Sequence, residues 1–234
     1  MNEMFLPEKR QYSVVLIGEF NPMIFQPEWF RRNDILSPEE VDVAQNQNAK
    51  TPTVISPQLT MFKTSQLSLH IEQKRFQVVA EKEPLIILKD FVSKTFEKLG
   101  GVVITSFGFN YSAHYKIESQ EKYQIIGDRL APKQYWECLL EDEVAGVDRK
   151  SGLISLTMQK TKDEKQGHLS MNLQPSALVQ PGLYISCNDH TNMSEEQAVA
   201  EYAIERIVDI FDQSFDKMVT LQETLLVEVT KEDE

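Results

Sequence analysis

A chain of 234 residues with 41% hydrophobic content can bury a sizeable core and fits one large or two small domains. Its formal charge of -12 is unevenly placed: residues 1–100 carry 12 basic and 13 acidic side chains, whereas residues 101–234 carry 12 and 23. Neither half has the basic footprint that displaces phosphate counterions, which argues against direct DNA or RNA binding and leaves a basic protein partner open.

The N-terminal stretch MNEMFLPEKRQY lacks the basic-then-apolar pattern of a secretory signal. The longest apolar runs, VVLIG and PLIIL, are too short to cross a bilayer, so the expectation is a soluble, cytoplasmic chain without membrane contact. Cys138 and Cys187 lie far apart in sequence and form no disulfide framework, in keeping with a reducing compartment.

In chain order, a first strand is expected over Ser13–Phe20, stopped by Asn21-Pro22 because proline removes a ladder donor. Ser37, Pro38 and Glu40 in SPEEV then form a helix start with a capping box. Gln45–Pro52 has no apolar periodicity and reads as a loop. Leu67, Leu69 and Ile71 alternate with Ser68, His70 and Glu72, the period of a half-buried strand, and a second strand over Arg75–Ala80 returns beside it. Helical spacing of Leu85, Leu88, Val92, Phe96 and Leu99 predicts a helix from Pro84 to Leu99, ended by Gly100-Gly101.

A long alternation follows from Thr105 to Ile117, with Gly108 expected at a bulge or bend. A helix over Gln120–Leu130 is stopped by Pro132. Three more period-2 segments, Ile154–Gln159, His168–Leu173 and Leu183–Asn188, precede a helix over Glu195–Met218 with a capping box at Ser194 and Gln197. Strict alternation points to antiparallel strands with one covered and one solvated face, so the fold class is α+β. SVVLIGEFN at Ser13–Asn21 is echoed by GVVITSFGFN at Gly101–Asn110, and each copy runs strand, helix, strands, helix. Two tandem repeats, 1–100 and 101–234, are therefore expected to share one twisted antiparallel sheet with the helices packed on one face.

Two surfaces are candidate sites. The first is the solvated sheet face, where His70, Asn110, Ser112, His114, Thr157, His168, Ser170 and Asn172 all fall at outward positions and offer hydrogen bonds without charge. The second is the last helix, on which Glu201, Glu205, Asp209, Asp212 and Asp216 recur at spacings of 4, 4, 3 and 4 with no basic residue at matching intervals. Like charges so placed oppose helix formation, which suggests a partner with a basic surface. Trp29 and Phe30, followed by Arg31 and Arg32, make a third candidate partner contact, set against the alternative that they pin a crossover to the sheet.

Catalytic motifs are absent. Cys187 and His190 have a ligand-like spacing, but Cys187 falls on the apolar face of its strand, and no metal or cofactor is expected. Asp189 beside His190 resembles half an acid/base pair without a nucleophile in a recognisable setting.

The hairpin SLHIEQKRFQVVAE, the strand GVVITSFGFNYSAHY and the acid-rich final helix together resemble a sporadically distributed, uncharacterised family of bacterial proteins, over most of the chain. The strand beginning at Gly101 lacks the Arg-Tyr pair common in that family, and no catalytic residues carry over. The resemblance implies an accessory component of a mobile conflict system, such as an antitoxin or a phage-defence subunit. The leading expectation is thus a non-enzymatic protein-binding component. Its alternatives are a hydrolase-like enzyme using His114, Asp189 and His190, and a small-ligand sensor using the polar sheet face; self-association is left open.

Overall fold

The structure, a computed structural model, describes residues 6–46, 52–140, 152–163 and 166–231. Its strands are β1 Lys9–Gly18, β2 Val54–Ile55, β3 Leu59–Lys63, β4 Leu67–Glu72, β5 Arg75–Ala80, β6 Ile104–Lys116, β7 Leu156–Thr161, β8 Gly167–Pro175 and β9 Gly182–Asn192. All pair antiparallel in one nine-stranded sheet of order β2-β3-β4-β5-β1-β6-β9-β8-β7. The helices are α1 Pro27–Arg32, α2 Pro38–Gln45, α3 Ile86–Glu97, α4 Gln120–Leu130, α5 Glu137–Leu140 and α6 Ala200–Thr230. The expected α+β class and antiparallel sheet are therefore present.

Alternation decides which face the core occupies. Tyr12, Val14 and Leu16 of β1 and Phe107, Phe109, Tyr111, Ala113 and Tyr115 of β6 are all buried, whereas Ser112 and His114 between them are half-buried. Against the apolar side lie Leu88, Phe91, Val92 and Phe96 of α3 and Ala203, Ile207, Phe211, Phe215 and Met218 of α6, at the spacing that makes one stripe on a helix. Phe109 meets Phe211 and Phe215 edge-on at 5.7 and 5.4 Å, so α6 seats directly on the central strand.

α6 runs well past the expected end at Met218. Gln222, Leu226 and Val229 continue its buried stripe, and its 31 residues span about 46 Å. Gln222 sits fully buried on the sheet: it accepts from Tyr115 Oη at 3.0 Å and donates to the carbonyls of Tyr111 and Ile185 at 3.3 and 3.2 Å. Those carbonyls belong to paired strands, so the amide uses their second lone pairs and leaves the ladder intact. At the other end α6 begins later than expected. Ser194 Oγ donates to Gln197 Oε1 at 3.2 Å instead of capping an amide, and Glu195–Gln197 is a 3-10 turn.

Other expectations also shift. β2 and β3 lie in a stretch too short and irregular to show period 2, and β1 begins before Ser13. Ser37 does cap α2, accepting from the Glu40 amide at 3.3 Å, but Glu40 turns its carboxylate to the Ser65 amide at 2.9 Å and so ties α2 to the β3–β4 turn. Most of the Gln45–Pro52 loop lies outside the described residues. No register shift occurs at Gly108; the irregularity falls between Ile17 and Gly18, where a Cβ on Gly18 would meet the Val103 carbonyl oxygen at 2.0 Å. Ile154 and Met158, expected on a covered face, are 82% and 67% exposed; Ile154 precedes β7, and Met158 lies on β7 at the edge of the sheet. Among the described residues no helix is long and apolar enough to cross a membrane.

Candidate functional site

All the helical packing described above falls on one side of the sheet, and among the described residues no helix packs over the centre of the opposite side. Cross-strand register sets its side chains in rows. One row runs Ser13, Asn110, Asn188, Ser170 across β1, β6, β9 and β8, and the next runs Gln11, Ser112, Ser186, Asn172. Within the first row Asn188 Nδ2 donates to Asn110 Oδ1 at 2.6 Å, and Asn110 Nδ2 donates to Ser13 Oγ at 3.3 Å. Gly108 lies beside this ladder, and a Cβ there would stand 3.1 Å from Asn188 Nδ2. Asn172 Nδ2 donates to Ser155 Oγ and Thr157 Oγ1, both at 2.8 Å.

These rows floor a concavity of about 290 Å³, completed by Gln77, Arg75 and Tyr184. Arg75 is its only charged lining residue among the described residues, and its guanidinium donates to Gln77 Oε1 at 3.0 Å. Apart from Arg75, Tyr184 and Cys187, the lining is made of the hydroxyls and carboxamides of Ser, Asn and Gln, which donate and accept but do not titrate.

Of the residues expected on this face, Asn110, Ser112, Ser170 and Asn172 line the concavity and Thr157 supports it through Asn172. His114 lies at one end of the rows, its ring 4.7 Å from Tyr184 and its Nδ1 2.8 Å from Ser176 Oγ. His168 lies at the other end, stacked on His190 with ring centroids 4.9 Å apart. His70 sits apart on β4, 2.9 Å from Glu72. Burial lowers the pKa of His114, assisted by the charge of Lys9, and burial likewise lowers that of His190, assisted by His168 and Lys162.

The alternation over Leu183–Asn188 ends the expected strand before His190. β9 in fact continues to Asn192 with Asp189 and Thr191 taking inward positions. Consequently Asp189 and His190 point to opposite faces, and Asp189 is 4% exposed with Lys162 Nζ 2.5 Å from its Oδ1. His114 pairs with Tyr184 and Gly108 with His190, six strand positions away or about 20 Å. The fold does not assemble His114, Asp189 and His190 into one site. Cys187 faces the core with its thiol pushed up to about 11 by burial. Among the described residues no group of three or more His, Cys, Asp or Glu could hold a metal.

The acidic residues Glu201, Glu205, Asp209, Asp212 and Asp216 lie exposed along α6, within the helical layer and so across the sheet from the concavity. They are less isolated than their spacing implies. Lys89 of α3 reaches Asp212 at 3.0 Å while its ammonium stands 5.5 Å from the Phe211 ring centre, and Arg206 lies 3.3 Å from Asp209. Trp29 and Phe30 belong to the core. Phe30 is fully buried, 4.9 Å from Phe91 and 5.9 Å from Phe62, and Trp29 packs half-buried on Phe25 and Phe30, so Phe30 presents no surface to a partner. Arg31 and Arg32 both turn to Glu28.

Comparison with protein-family models finds no family that matches this chain, and comparison with curated proteins finds no relative.

Proposed function

We propose that this is a non-enzymatic binding protein that receives a polypeptide on the uncovered, uncharged face of its sheet. The observation that carries the reading is the double row of Ser, Asn and Gln across β1, β6, β9 and β8. Hydroxyls and carboxamides match the donors and acceptors of a peptide backbone, and four strands offer a track about 15 Å wide. The acidic stripe of α6 lies on the other layer, so one compact partner does not bury both surfaces. The stripe acts at longer range: together with the net charge of -12 it favours approach of a partner with a basic surface.

An accessory, antitoxin-like role in a bacterial conflict or phage-defence system is what the family resemblance adds to this reading, and the short apolar runs support a cytoplasmic location. We propose in addition that the chain is a duplicated unit. Support comes from element order: β1 and β6 lie side by side, each is flanked outward by a run of antiparallel strands, and each run is followed by the helix, α3 or α6, that covers it. The echoing segments themselves do not coincide, since SVVLIG fills the latter part of β1 whereas Gly101–Val103 precede β6.

A second reading, a small-ligand sensor, draws on the concavity, whose volume of about 290 Å³ sits at the lower end of small-molecule sites. Native purification of the full chain from its own cells, followed by mass spectrometry of the intact species, separates the two. A polypeptide in fixed stoichiometry is expected. A chain that travels alone, yet unfolds at higher temperature with a polar small molecule, would favour the sensor.

A further inference from the structure

A second cavity, of about 190 Å³, lies between the far end of β8–β9 and α6, on the helical side of the sheet. Among the described residues its lining includes Lys162, Arg206 and Lys217 against a single carboxylate, Asp189, an excess of positive charge in a chain whose net charge is -12. The helix explains how such a patch survives beside an acidic stripe. Arg206, Ile210, Gln213 and Lys217 follow one another at spacings of 4, 3 and 4, a third face of α6 set about a third of a turn from both the core stripe and the acidic stripe.

Lys162 is the fixed point of this cavity. Its Nζ lies 2.5 Å from Asp189 Oδ1 and donates to Thr191 Oγ1 at 2.9 Å. The contact with Asp189 is an ion pair in which Oδ1 accepts no hydrogen bond, so Thr191 is the ammonium's one hydrogen-bond acceptor among the described residues and donor capacity remains for a ligand. Asp189 is 4% exposed and pairs with Lys162, which leaves Arg206 and Lys217 as the two cations at the rim. Arg206 is held only by the exposed Asp209 at 3.3 Å, and Lys217 has no ion pair among the described residues. Their backbones stand about 16 Å apart along α6, and two long side chains reaching inward across Gln213 suit an elongated anion better than a compact one.

We propose that this cavity binds a small elongated oxyanion of the diphosphate class, with Lys162 at its base and Arg206 and Lys217 closing on its two ends. Guanidinium and ammonium groups recognise phosphoryl oxygens through charge-assisted hydrogen bonds, and Arg206 does so in a planar fork. The site is independent of the sheet face, and its occupancy does not require a polypeptide there.

Calorimetric titration of the purified full chain with inorganic pyrophosphate tests the proposal. Saturable binding at one site is expected, tighter than for orthophosphate, and Arg206→Gln and Lys217→Gln should each weaken it about tenfold or more. Both positions are on the surface of α6, so thermal unfolding without ligand should match the wild type. Gln213→Glu, which places a carboxylate between the two cations, should abolish binding. Lys162→Gln is not a useful variant, because it strands Asp189 as an unpaired buried charge. Lys74→Gln, remote on the exposed β4–β5 turn, should bind as the wild type does. No saturable binding at millimolar pyrophosphate, or an equal loss in Lys74→Gln, would overturn the assignment.

Discussion

Gln222 shows how one polar side chain can fix a helix on a sheet. With its amide satisfied by Tyr115, Tyr111 and Ile185, it specifies where along β6 and β9 the last turns of α6 sit. Gln222→Leu keeps the volume but strands the Tyr115 hydroxyl in the core, at a cost of about 1–3 kcal/mol. Chemical denaturation should show that loss with an unchanged denaturant slope. His190 offers a second residue-scale test. Its pKa is lowered chiefly by burial, so the folded state binds its proton less readily than the unfolded chain does. The associated stability is complete above the ordinary value of about 6.5 and is lost as pH falls toward the folded value. Between about pH 7.5 and about pH 5.5 the wild type should therefore lose more stability than His190→Asn, and parallel curves would show that the imidazole is not desolvated.

At the scale of elements, period-2 alternation made β4, β5, β6, β8 and the first part of β9 legible, because one face of each is apolar and the other is not. It failed where that contrast fails. Asp189 occupies an inward position that only the through-space contact with Lys162 makes tolerable, and nothing local to NDH announces it. The end of α6 was hidden for a similar reason: Gln222 stands where the stripe calls for an apolar residue, and Val227 and Val229 are weak helix formers. The acidic stripe was legible as a spacing, but its partner Lys89 lies 123 positions from Asp212 and could not be read from α6 alone. Glu201→Gln with Glu205→Gln removes an i,i+4 repulsion and no ion pair present in the structure, so unfolding free energy should change by no more than about 0.5 kcal/mol, with a slight gain expected. Lys89→Met would differ, since Asp212 then loses its only ion pair among the described residues.

For the whole molecule, the layered arrangement turns one question about surfaces into two. Alternation already put the polar face and the helices on opposite sides of one sheet, but not the strand order, which is set by contacts between distant segments and decides which polar residues stand side by side. In the structure the helical layer carries the acidic stripe, and the open face of the sheet carries a concavity lined mainly by Ser, Asn and Gln with Arg75 at its side. If that face holds the partner, bulk and charge placed there must interfere more than the same change on the opposite layer. Asn110→Lys with Ser186→Lys puts two ammonium groups on the floor of the concavity, and Glu201→Lys with Glu205→Lys puts two on α6; both pairs sit at solvent-accessible positions. The direct measurement is the amount of polypeptide recovered in stoichiometric complex with each double variant, at matched thermal stability. The sheet pair should lose the partner while the helix pair keeps it with slower association, and retention by the sheet pair with loss by the helix pair would contradict the assignment.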